Sequence, residues 1–364
     1  MIYIVVGLII ILFAYLEAFD TSKKNSRIVL AVLCFLLVFF AGLRDGVGTD
    51  WLAYYNFYIE TTDRVEIGYA FLNNTFSEFS IHYNIFLLFT NSISIFLIAK
   101  FIRTQSPFYV LGILIFYSNL FLYYNFSGMR QAMAISITCF SYSYALDKKF
   151  IKFLLLVVLA STFHASASVF ILIYFLPRGK ISFLNSIFVL SGFFVFYQFL
   201  NLISDFITLY TANNANYYIN VIEKPDSLLT LFLIGITVRL VILIVVFAFR
   251  KKLFAIKNFR YIFNIYLFGL LIYLSTYMIS PDIGVRVSSY FLIFDIIIAG
   301  NIIGVVYNAK YRVLIVTVFS LLALYRLIGY SKSEYYNYFS SKKELKVLFW
   351  LLAISSTDSS GHSK

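Results

Sequence analysis

The feature that most constrains this chain is a succession of long apolar runs, which extends from the first residues to about residue 330. A run of about 20 apolar residues, folded as a helix, crosses the hydrocarbon core of a bilayer. Only 13% of the residues are charged, about half the share found in soluble domains. We therefore predict an all-α integral membrane protein, a polytopic bundle of about 11–12 transmembrane segments.

Clusters of Lys and Arg orient these segments, because basic loops stay in the cytoplasm. The clusters at 23–27, 100–103, 148–152, 250–260 and 310–312 are taken as cytoplasmic. The predicted spans are residues 2–18, 28–43, 84–101, 108–124, 129–146, 181–202, 228–249, 261–279, 286–307 and 313–329, with 150–176 considered separately. Residues 1–330 then form a single transmembrane domain with external loops at 44–83 and 204–227. Residues 331–364 form a polar and aromatic tail whose end is expected to be disordered.

The segment 150–176 is too long for one transmembrane helix and too short for two. As one helix it would be about 40 Å long, which exceeds a hydrocarbon core of about 30 Å. The basic residues on both sides, Lys148 and Arg178, belong on the same side of the membrane when spans are counted back from 250–260. We therefore predict that the segment enters and returns, with His164 near its outer apex. One long tilted helix is the alternative.

Three further properties narrow the function classes. The net charge of +12 is assigned to cytoplasmic loops rather than to nucleic acid, which we do not expect as a partner. Cys34 and Cys139 both lie inside apolar runs, so they are predicted core residues without a disulfide or a metal-type spacing. Residues 1–18 lack a basic n-region and a cleavage site, so they are interpreted as a retained helix.

Four unusual polar residues of the chain fall on the external face of this predicted topology. Arg44 opens the first external loop, and Arg130, His164 and Arg286 lie at or just below the same surface. An arginine within a membrane span costs about 2.5–3.5 kcal/mol on insertion scales, so these side chains should face a cavity or an anion. A pyrophosphate suits them, because guanidinium binds phosphate oxygens bidentately. The alternative for each is an interfacial arginine or one paired with a nearby carboxylate.

Four motifs resemble the EpsG-like branch of the Wzy-type polysaccharide polymerases, and they occur in the same order over most of the chain. The motifs are Arg44-x-Gly46-x-Gly48-Thr49-Asp50-x-x-x-Tyr54, Met129-Arg130-Gln131-Ala132-Met133-Ala134, Ala160-x-x-Phe163-His164-x-Ser166-Ala167 and Arg286-x-x-x-Tyr290-Phe291. Each is weak alone, and the ordered set is fairly specific. The resemblance implies a GT-C-like polymerase or ligase architecture in the bacterial cytoplasmic membrane.

The resemblance also implies an activity on the periplasmic or outer face. Such enzymes extend O-antigen, enterobacterial common antigen or exopolysaccharide by moving a growing glycan from undecaprenyl pyrophosphate onto the next lipid-linked repeat unit. The expected partners are this lipid-linked oligosaccharide, membrane lipid, a chain-length regulator and a flippase. No cofactor and no catalytic metal are expected. Two rivals remain open: a flippase or exporter of lipid-linked oligosaccharide, and an O-antigen ligase-like transferase.

Roles for single residues follow from the chemistry of that transfer. Departure of a pyrophosphate needs positive charge, which Arg130 and Arg286, with Arg44, can supply. The acceptor hydroxyl needs a base. His164 is the first candidate, although a lone histidine can be a satisfied core residue, and Asp50 is the second. The remaining predicted contacts to pyrophosphate or glycan are Gln131, Tyr54 and Tyr290, whereas Tyr55, Tyr217 and Tyr218 could stack on sugars or belong to an interfacial belt.

Arg239 and Asp295 are two further ions, and they lie near the middle of their predicted spans. Our first interpretation is that the two side chains pair as a structural bridge. The alternative is that they line a proton or ion path.

Overall fold

The computed structural model of the chain describes residues 1–20, 22–60, 65–180, 228–277 and 280–336. These residues form helices, and these ranges contain no strand. In chain order the helices are α1 (Ile2–Phe19), α2 (Lys23–Gly42), α3 (Trp51–Glu60), α4 (Ile67–Glu78), α5 (Tyr83–Gln105), α6 (Tyr109–Phe116) with a π-helix (Tyr117–Asn125), α7 (Met129–Leu146), α8 (Phe150–Phe163) with a 3₁₀-helix (Ala165–Phe175), α9 (Leu228–Ala248), α10 (Arg250–Leu253), α11 (Phe259–Thr276), α12 (Pro281–Leu292), α13 (Asp295–Gly304), α14 (Ala309–Lys332) and a 3₁₀ turn (Glu334–Tyr336).

Six segments of the described chain are long and apolar enough to cross a membrane. They are Ile2–Phe19, Lys24–Gly42, Tyr83–Gln105, Phe259–Thr276, Pro281–Gly304 and Ala309–Lys332. Shorter apolar helices cover Tyr109–Asn125, Phe150–Phe163, Ala165–Phe175 and Gly235–Ala248. The prediction of an all-α polytopic membrane protein is thereby confirmed. The predicted span at 181–202 and the loop at 204–227 lie outside the described residues, and the GT-C-like architecture stays a prediction.

The segment after α7 is a helical hairpin whose tip is His164. Helix α8 ends at Phe163, His164 has extended backbone, and the 3₁₀-helix then runs back along α8. The two open ends meet: the ring of Tyr174 lies 4.8 Å from that of Phe150, and its hydroxyl donates to the Lys148 carbonyl at 3.2 Å. The predicted return at this histidine is therefore confirmed, and a single long tilted helix is excluded.

The loop that begins at Arg44 folds back over the bundle and carries α3 and α4. Gly48 has a φ of +114°, and a Cβ at this position would lie 2.3 Å from the Phe126 carbonyl oxygen. Only glycine fits so close an approach at this backbone angle. The next amide, of Thr49, donates to the Ser127 hydroxyl at 3.0 Å. The glycine motif therefore docks the loop onto the turn before α7.

Two predicted boundaries shift in the structure. Residues 281–285 were predicted as a connection, but Pro281 begins α12 and Ser280 caps it, so Arg286 lies in the second turn of that helix. The predicted tail begins at 331, yet α14 continues to Lys332 and the side chain of Tyr336 is buried. The Tyr336 hydroxyl lies 2.8 Å from that of Ser127, so the start of the tail packs on the same turn as the loop.

A buried carboxylate joins the first and fourth apolar runs. Glu17 of α1 accepts hydrogen bonds from the backbone amides of Tyr109 and Val110, both at 2.8 Å, and from Leu111 at 3.3 Å. These amides belong to the first turn of α6, whose N–H groups have no partner inside the helix. The negative charge also lies at the positive end of the α6 dipole. Glu17 therefore caps α6 from a neighbouring helix.

We predict that Glu17→Ala destabilises the folded protein, because it leaves the amides of the first turn of α6 buried without acceptors. Hydrogen bonds to charged groups are worth about 1.5–3 kcal/mol. We expect a loss of that size in the free energy of unfolding and a lower midpoint of thermal unfolding in detergent.

Glu78→Ala is the matched control, because Glu78 is exposed and lies outside the predicted spans. Glu17→Gln should lie between the two, since an amide keeps one acceptor oxygen. An unfolding midpoint for Glu17→Ala equal to that of Glu78→Ala would contradict the capping role.

Candidate active site

A small cavity of about 60 Å³ lies where the first loop, the turn before α7, the hairpin tip and α12 meet. Its volume suits the reacting end of a substrate rather than a whole sugar. The residues that line it are Thr49, Asp50, Tyr54, Tyr123, Tyr124, Ser127, Gly128, Arg130, Gln131, His164 and Arg286. Six of the predicted site residues, from all four motifs, are thus brought together: Asp50, Tyr54, Arg130, Gln131, His164 and Arg286.

The central contact of this site is made by Glu66, which directly precedes α4. One carboxylate oxygen of Glu66 lies 2.8 Å from His164 Nδ1, and the other forms a salt bridge with Arg130. The His164-side oxygen also accepts a long hydrogen bond from the Ala165 amide, at 3.4 Å. A single carboxylate therefore holds the loop, the start of α7 and the hairpin tip together.

The pKa of Glu66 tells which atoms carry protons here. Burial raises this pKa, but the hydrogen bond from His164 and the charge of Arg130 outweigh burial and lower it to about 2. The carboxylate is therefore ionised at neutral pH and only accepts hydrogen bonds. His164 Nδ1 must then be the protonated ring nitrogen, and in the neutral ring Nε2 carries the lone pair. This is the tautomer that a general base requires.

The second arginine of the cavity has its own carboxylate. Arg286 Nε donates to Asp282 Oδ1 at 2.8 Å, one helical turn away on α12. Asp282 also accepts a hydrogen bond from the Tyr123 hydroxyl at 3.4 Å. Asp282 lies in the first turn of α12, where a negative charge is favourable. The contact orients the guanidinium of Arg286 at the edge of the cavity.

Two polar side chains tie the cavity wall together. Gln131 is buried, and its amide nitrogen donates to the Arg286 carbonyl oxygen at 2.7 Å, which links α7 to α12. The buried hydroxyl of Tyr54 accepts from Arg130 Nε at 3.4 Å. Both residues line the cavity and also position an arginine.

Two predicted binding residues lie behind the cavity rather than in its wall. Arg44 is only 1% exposed; its guanidinium donates to the Ala41 carbonyl oxygen and lies 5.1 Å from the centre of the Phe126 ring. Tyr290 is fully buried, and its hydroxyl lies 3.1 Å from that of Ser166 on the hairpin. The structure thus gives Arg44 and Tyr290 packing positions that support the loop and the hairpin.

Among the described residues, one predicted sugar-stacking tyrosine and the predicted mid-span ions lie outside this cavity. Tyr55 stacks on Trp51, with ring centres 5.0 Å apart, and does not line the cavity. Tyr217 and Tyr218 lie outside the described residues. The predicted bridge between Arg239 and Asp295 is wrong: among the described residues the carboxylate of Asp295 is not within ion-pair distance of any cation. Instead it accepts from Asn119 at 3.3 Å.

Glu66 and Asp282 are two charged residues of the site that the sequence did not predict. Both are isolated acids in polar segments, and no spacing pattern connects either of them to the motifs. The sequence pointed to these acids only indirectly, through the alternative that each arginine is paired with a nearby carboxylate. That alternative is correct for Arg130 and Arg286, and both also line the cavity.

We predict a pH-dependent contribution of Glu66 to stability. Its folded pKa of about 2 lies below its ordinary value of 4.5, so the stabilisation is complete above 4.5 and is lost as the pH falls toward 2. The difference corresponds to about 3 kcal/mol at most. Glu66→Gln should therefore lower the unfolding midpoint in detergent at about pH 7, and the difference from wild type should shrink at about pH 3.

Glu60→Gln serves as the control, because Glu60 is an exposed acid of the same loop. Equal unfolding midpoints for Glu66→Gln and Glu60→Gln at neutral pH would show that Glu66 does not hold the three segments together.

Comparison with known proteins identifies the family of this chain. A model of the EpsG family matches residues 27–350, which include all four motifs and most of the chain. No curated protein and no solved structure matches the chain. The chain therefore belongs to the EpsG family, a family of Wzy-like membrane polysaccharide polymerases.

Proposed function

We propose that this protein transfers a growing glycan from undecaprenyl pyrophosphate to a lipid-linked repeat unit, without a metal ion. The observation that carries the proposal is the contact of 2.8 Å between Glu66 and His164 Nδ1, beside a cavity that His164, Arg130 and Arg286 line. A carboxylate-oriented histidine beside two guanidinium groups combines a base with a site for an anionic leaving group.

The reaction forms one bond and breaks one. The acceptor hydroxyl oxygen attacks the anomeric carbon of the donor and forms the new glycosidic bond. The bond from that carbon to the pyrophosphate oxygen breaks, and its electron pair stays on the pyrophosphate. His164 Nε2 takes the hydroxyl proton, and Glu66 stabilises the imidazolium ion that results. Asp50, which also lines the cavity, is the alternative base.

The two arginines stabilise the charge that grows on the leaving pyrophosphate. A guanidinium carries five N–H donors, and the contacts of Arg130 to Glu66 and Tyr54 use only two of them. Fixed positive charge of this kind supplies what a metal ion would supply at a leaving phosphate, which supports the metal-independent proposal. Gln131 and Tyr54 are proposed to position the arginines and to contact the glycan.

The location belongs to the same proposal. We place the cavity on the outer face of the bacterial cytoplasmic membrane, because the basic loops at 148–152 and 250–260 are assigned to the cytoplasm. The partners are the lipid-linked donor and acceptor, a flippase that supplies them and a chain-length regulator. The products are O-antigen, other lipopolysaccharide-linked glycans or exopolysaccharide.

We predict that His164→Ala lowers the turnover number at least ~100-fold, the range of a lost general base. The assay uses purified protein in detergent and a polyprenyl pyrophosphate-linked repeat unit, and a gel separates the glycan ladder. Glu66→Gln should reduce turnover less, because it removes the orientation of the histidine but leaves the ring.

His82→Ala is the matched control, since His82 is exposed and caps α5. Normal ladders from His164→Ala would rule out His164 as the base. If folded wild-type protein forms no ladder but moves the lipid across a vesicle membrane, the protein is a flippase. Transfer only to an acceptor without a lipid pyrophosphate would indicate a ligase.

A second prediction separates the arginines. Arg286→Gln and Arg130→Gln should lower turnover, because each removes charge that faces the leaving pyrophosphate. Arg44→Gln should instead lower the thermal unfolding midpoint, and the folded fraction should keep the wild-type KM for the donor. A raised donor KM for folded Arg44→Gln, with an unchanged unfolding midpoint, would show that Arg44 binds substrate.

A further inference from the structure

A second and much larger cavity, of about 640 Å³, adjoins the small one among the membrane-spanning helices. It lies between the π-helix, α9, α11, α12 and α14. Most of its surface is apolar or tyrosine, and the charged side chains among its described lining residues are Arg239, Arg326 and Asp295. A cavity of this size accommodates a ligand of several sugars or a drug-sized molecule.

The charges that the described residues bring to this cavity do not balance. Arg326 donates to the side-chain oxygen of Asn119, whose amide nitrogen donates to Asp295 at 3.3 Å. Arg239 donates to the Gly235 carbonyl oxygen at 2.7 Å and lies 3.9 Å from the centre of the Tyr273 ring. Two guanidinium groups thus face one carboxylate. Excess positive charge inside a membrane bundle is costly, and a bound anion would compensate it.

Two residues of the cavity wall each carry a buried polar atom whose hydrogen-bonding capacity is unused in the described part of the chain. Within the described ranges, the Tyr266 hydroxyl and Asp295 Oδ1 are buried atoms without a hydrogen-bond partner. The Tyr266 side chain is fully buried, and both residues line the cavity. An unpartnered buried polar group costs about 1–3 kcal/mol. Because these two atoms are closed off from the cavity, they gain a partner only if their side chains shift when a ligand binds. The two arginines are therefore the groups that an anion in this cavity would contact.

The two cavities share a wall. Tyr123 and Tyr124 line both of them, and their rings are 4.8 Å apart. Both tyrosines belong to the π-helix, a rare geometry that is frequent at functional sites. Tyr123 contacts Asp282, the partner of Arg286, and Tyr124 lies 2.6 Å from the Ser289 hydroxyl. A ligand in the large cavity thus ends against the wall of the small one.

We propose that the large cavity holds the lipid-linked acceptor, with its pyrophosphate at Arg239 and Arg326. This inference rests on the proposed function. In the donor, the pyrophosphate is bonded to the reacting carbon, so it must lie beside His164. In the acceptor, the reacting hydroxyl is on a sugar at the other end of the repeat unit, so its pyrophosphate must lie at a distance. The two arginine pairs in adjoining cavities provide these two positions.

Binding of farnesyl pyrophosphate, a short isoprenoid pyrophosphate, tests the proposal without catalysis. We expect two molecules to bind per chain in detergent. Arg326→Gln should remove one of them, and Arg130→Gln should remove the other. Inorganic pyrophosphate separates the two sources of the anion: it should bind at least ~10-fold more weakly, because it lacks the isoprenoid chain that the apolar wall contacts. Binding as strong as that of farnesyl pyrophosphate would contradict a lipid-linked ligand.

A second variant tests the same cavity if Arg326→Gln fails to fold. Gly329 lines the large cavity, and a Cβ at this position would have no atom within 4 Å. Gly329→Leu therefore extends into open space and should also remove one bound molecule. Arg250→Gln is the control, since Arg250 is an exposed cytoplasmic-loop arginine in our topology and should still bind two.

The outcomes distinguish the two proposals. A wild-type stoichiometry of one that Arg326→Gln leaves unchanged, or of two for both folded Arg326→Gln and Gly329→Leu, would overturn the acceptor site. Loss of a molecule with Arg326→Gln but not with Arg130→Gln would keep the large-cavity site and contradict the donor site. With an active enzyme, Arg326→Gln should raise the acceptor KM about 10-fold and leave the donor KM unchanged. An unchanged acceptor KM would overturn the proposal.

Discussion

The carboxylate of Glu66 is the contact on which the rest of the site depends. Its two oxygens join Arg130, at the start of α7, to His164, at the tip of the hairpin. Neither partner is near Glu66 in sequence, so the three segments converge only through tertiary folding. Burial opposes a free charge at this depth, and the pairing compensates it. The same carboxylate determines which nitrogen of the histidine carries a proton, so it connects the fold to the proposed chemistry.

The arrangement of the charges around the cavity also explains how arginines are kept in a membrane protein. Arg130 is paired with Glu66, and Arg286 is paired with Asp282. Paired guanidinium groups are cheaper to bury and are held in fixed directions. A site with directed donors needs little reorganisation when charge develops on a leaving group. The pairs therefore stabilise the resting protein and prepare the site that we propose for the pyrophosphate.

Charge and topology in the sequence were enough to identify part of this site. Arg130, His164 and Arg286 were found because polar residues are costly in apolar runs. Counting spans also placed them on one face. The structure brings all three to the wall of one cavity. Arg44 belongs to the same residue type, yet its burial under the Phe126 ring depends on a loop path that no local pattern encodes.

Glu66 and Glu17 were beyond the same reasoning for a related reason. An isolated glutamate in a loop or at a helix end has no periodic signal, and its meaning comes from a partner distant in the sequence. For the mid-span ions, the sequence identified the residue but not its partner. Asp295 was recognised as costly to bury, and in the structure it is joined to Arg326 through Asn119. The predicted partner, Arg239, instead stacks on Tyr273. The cost of burial identifies a residue, whereas only packing identifies its partner.

The most direct test of the account is a double-mutant cycle on the turnover number. It compares wild type, Glu66→Gln, His164→Gln and the double variant, each confirmed to be folded in detergent. If Glu66 acts through His164, Glu66→Gln should cost less in the His164→Gln background than in wild type, because the carboxylate has no ring left to orient and holds only Arg130. If the two losses instead multiply, Glu66 and His164 act independently, and the central claim of a carboxylate-oriented histidine is contradicted.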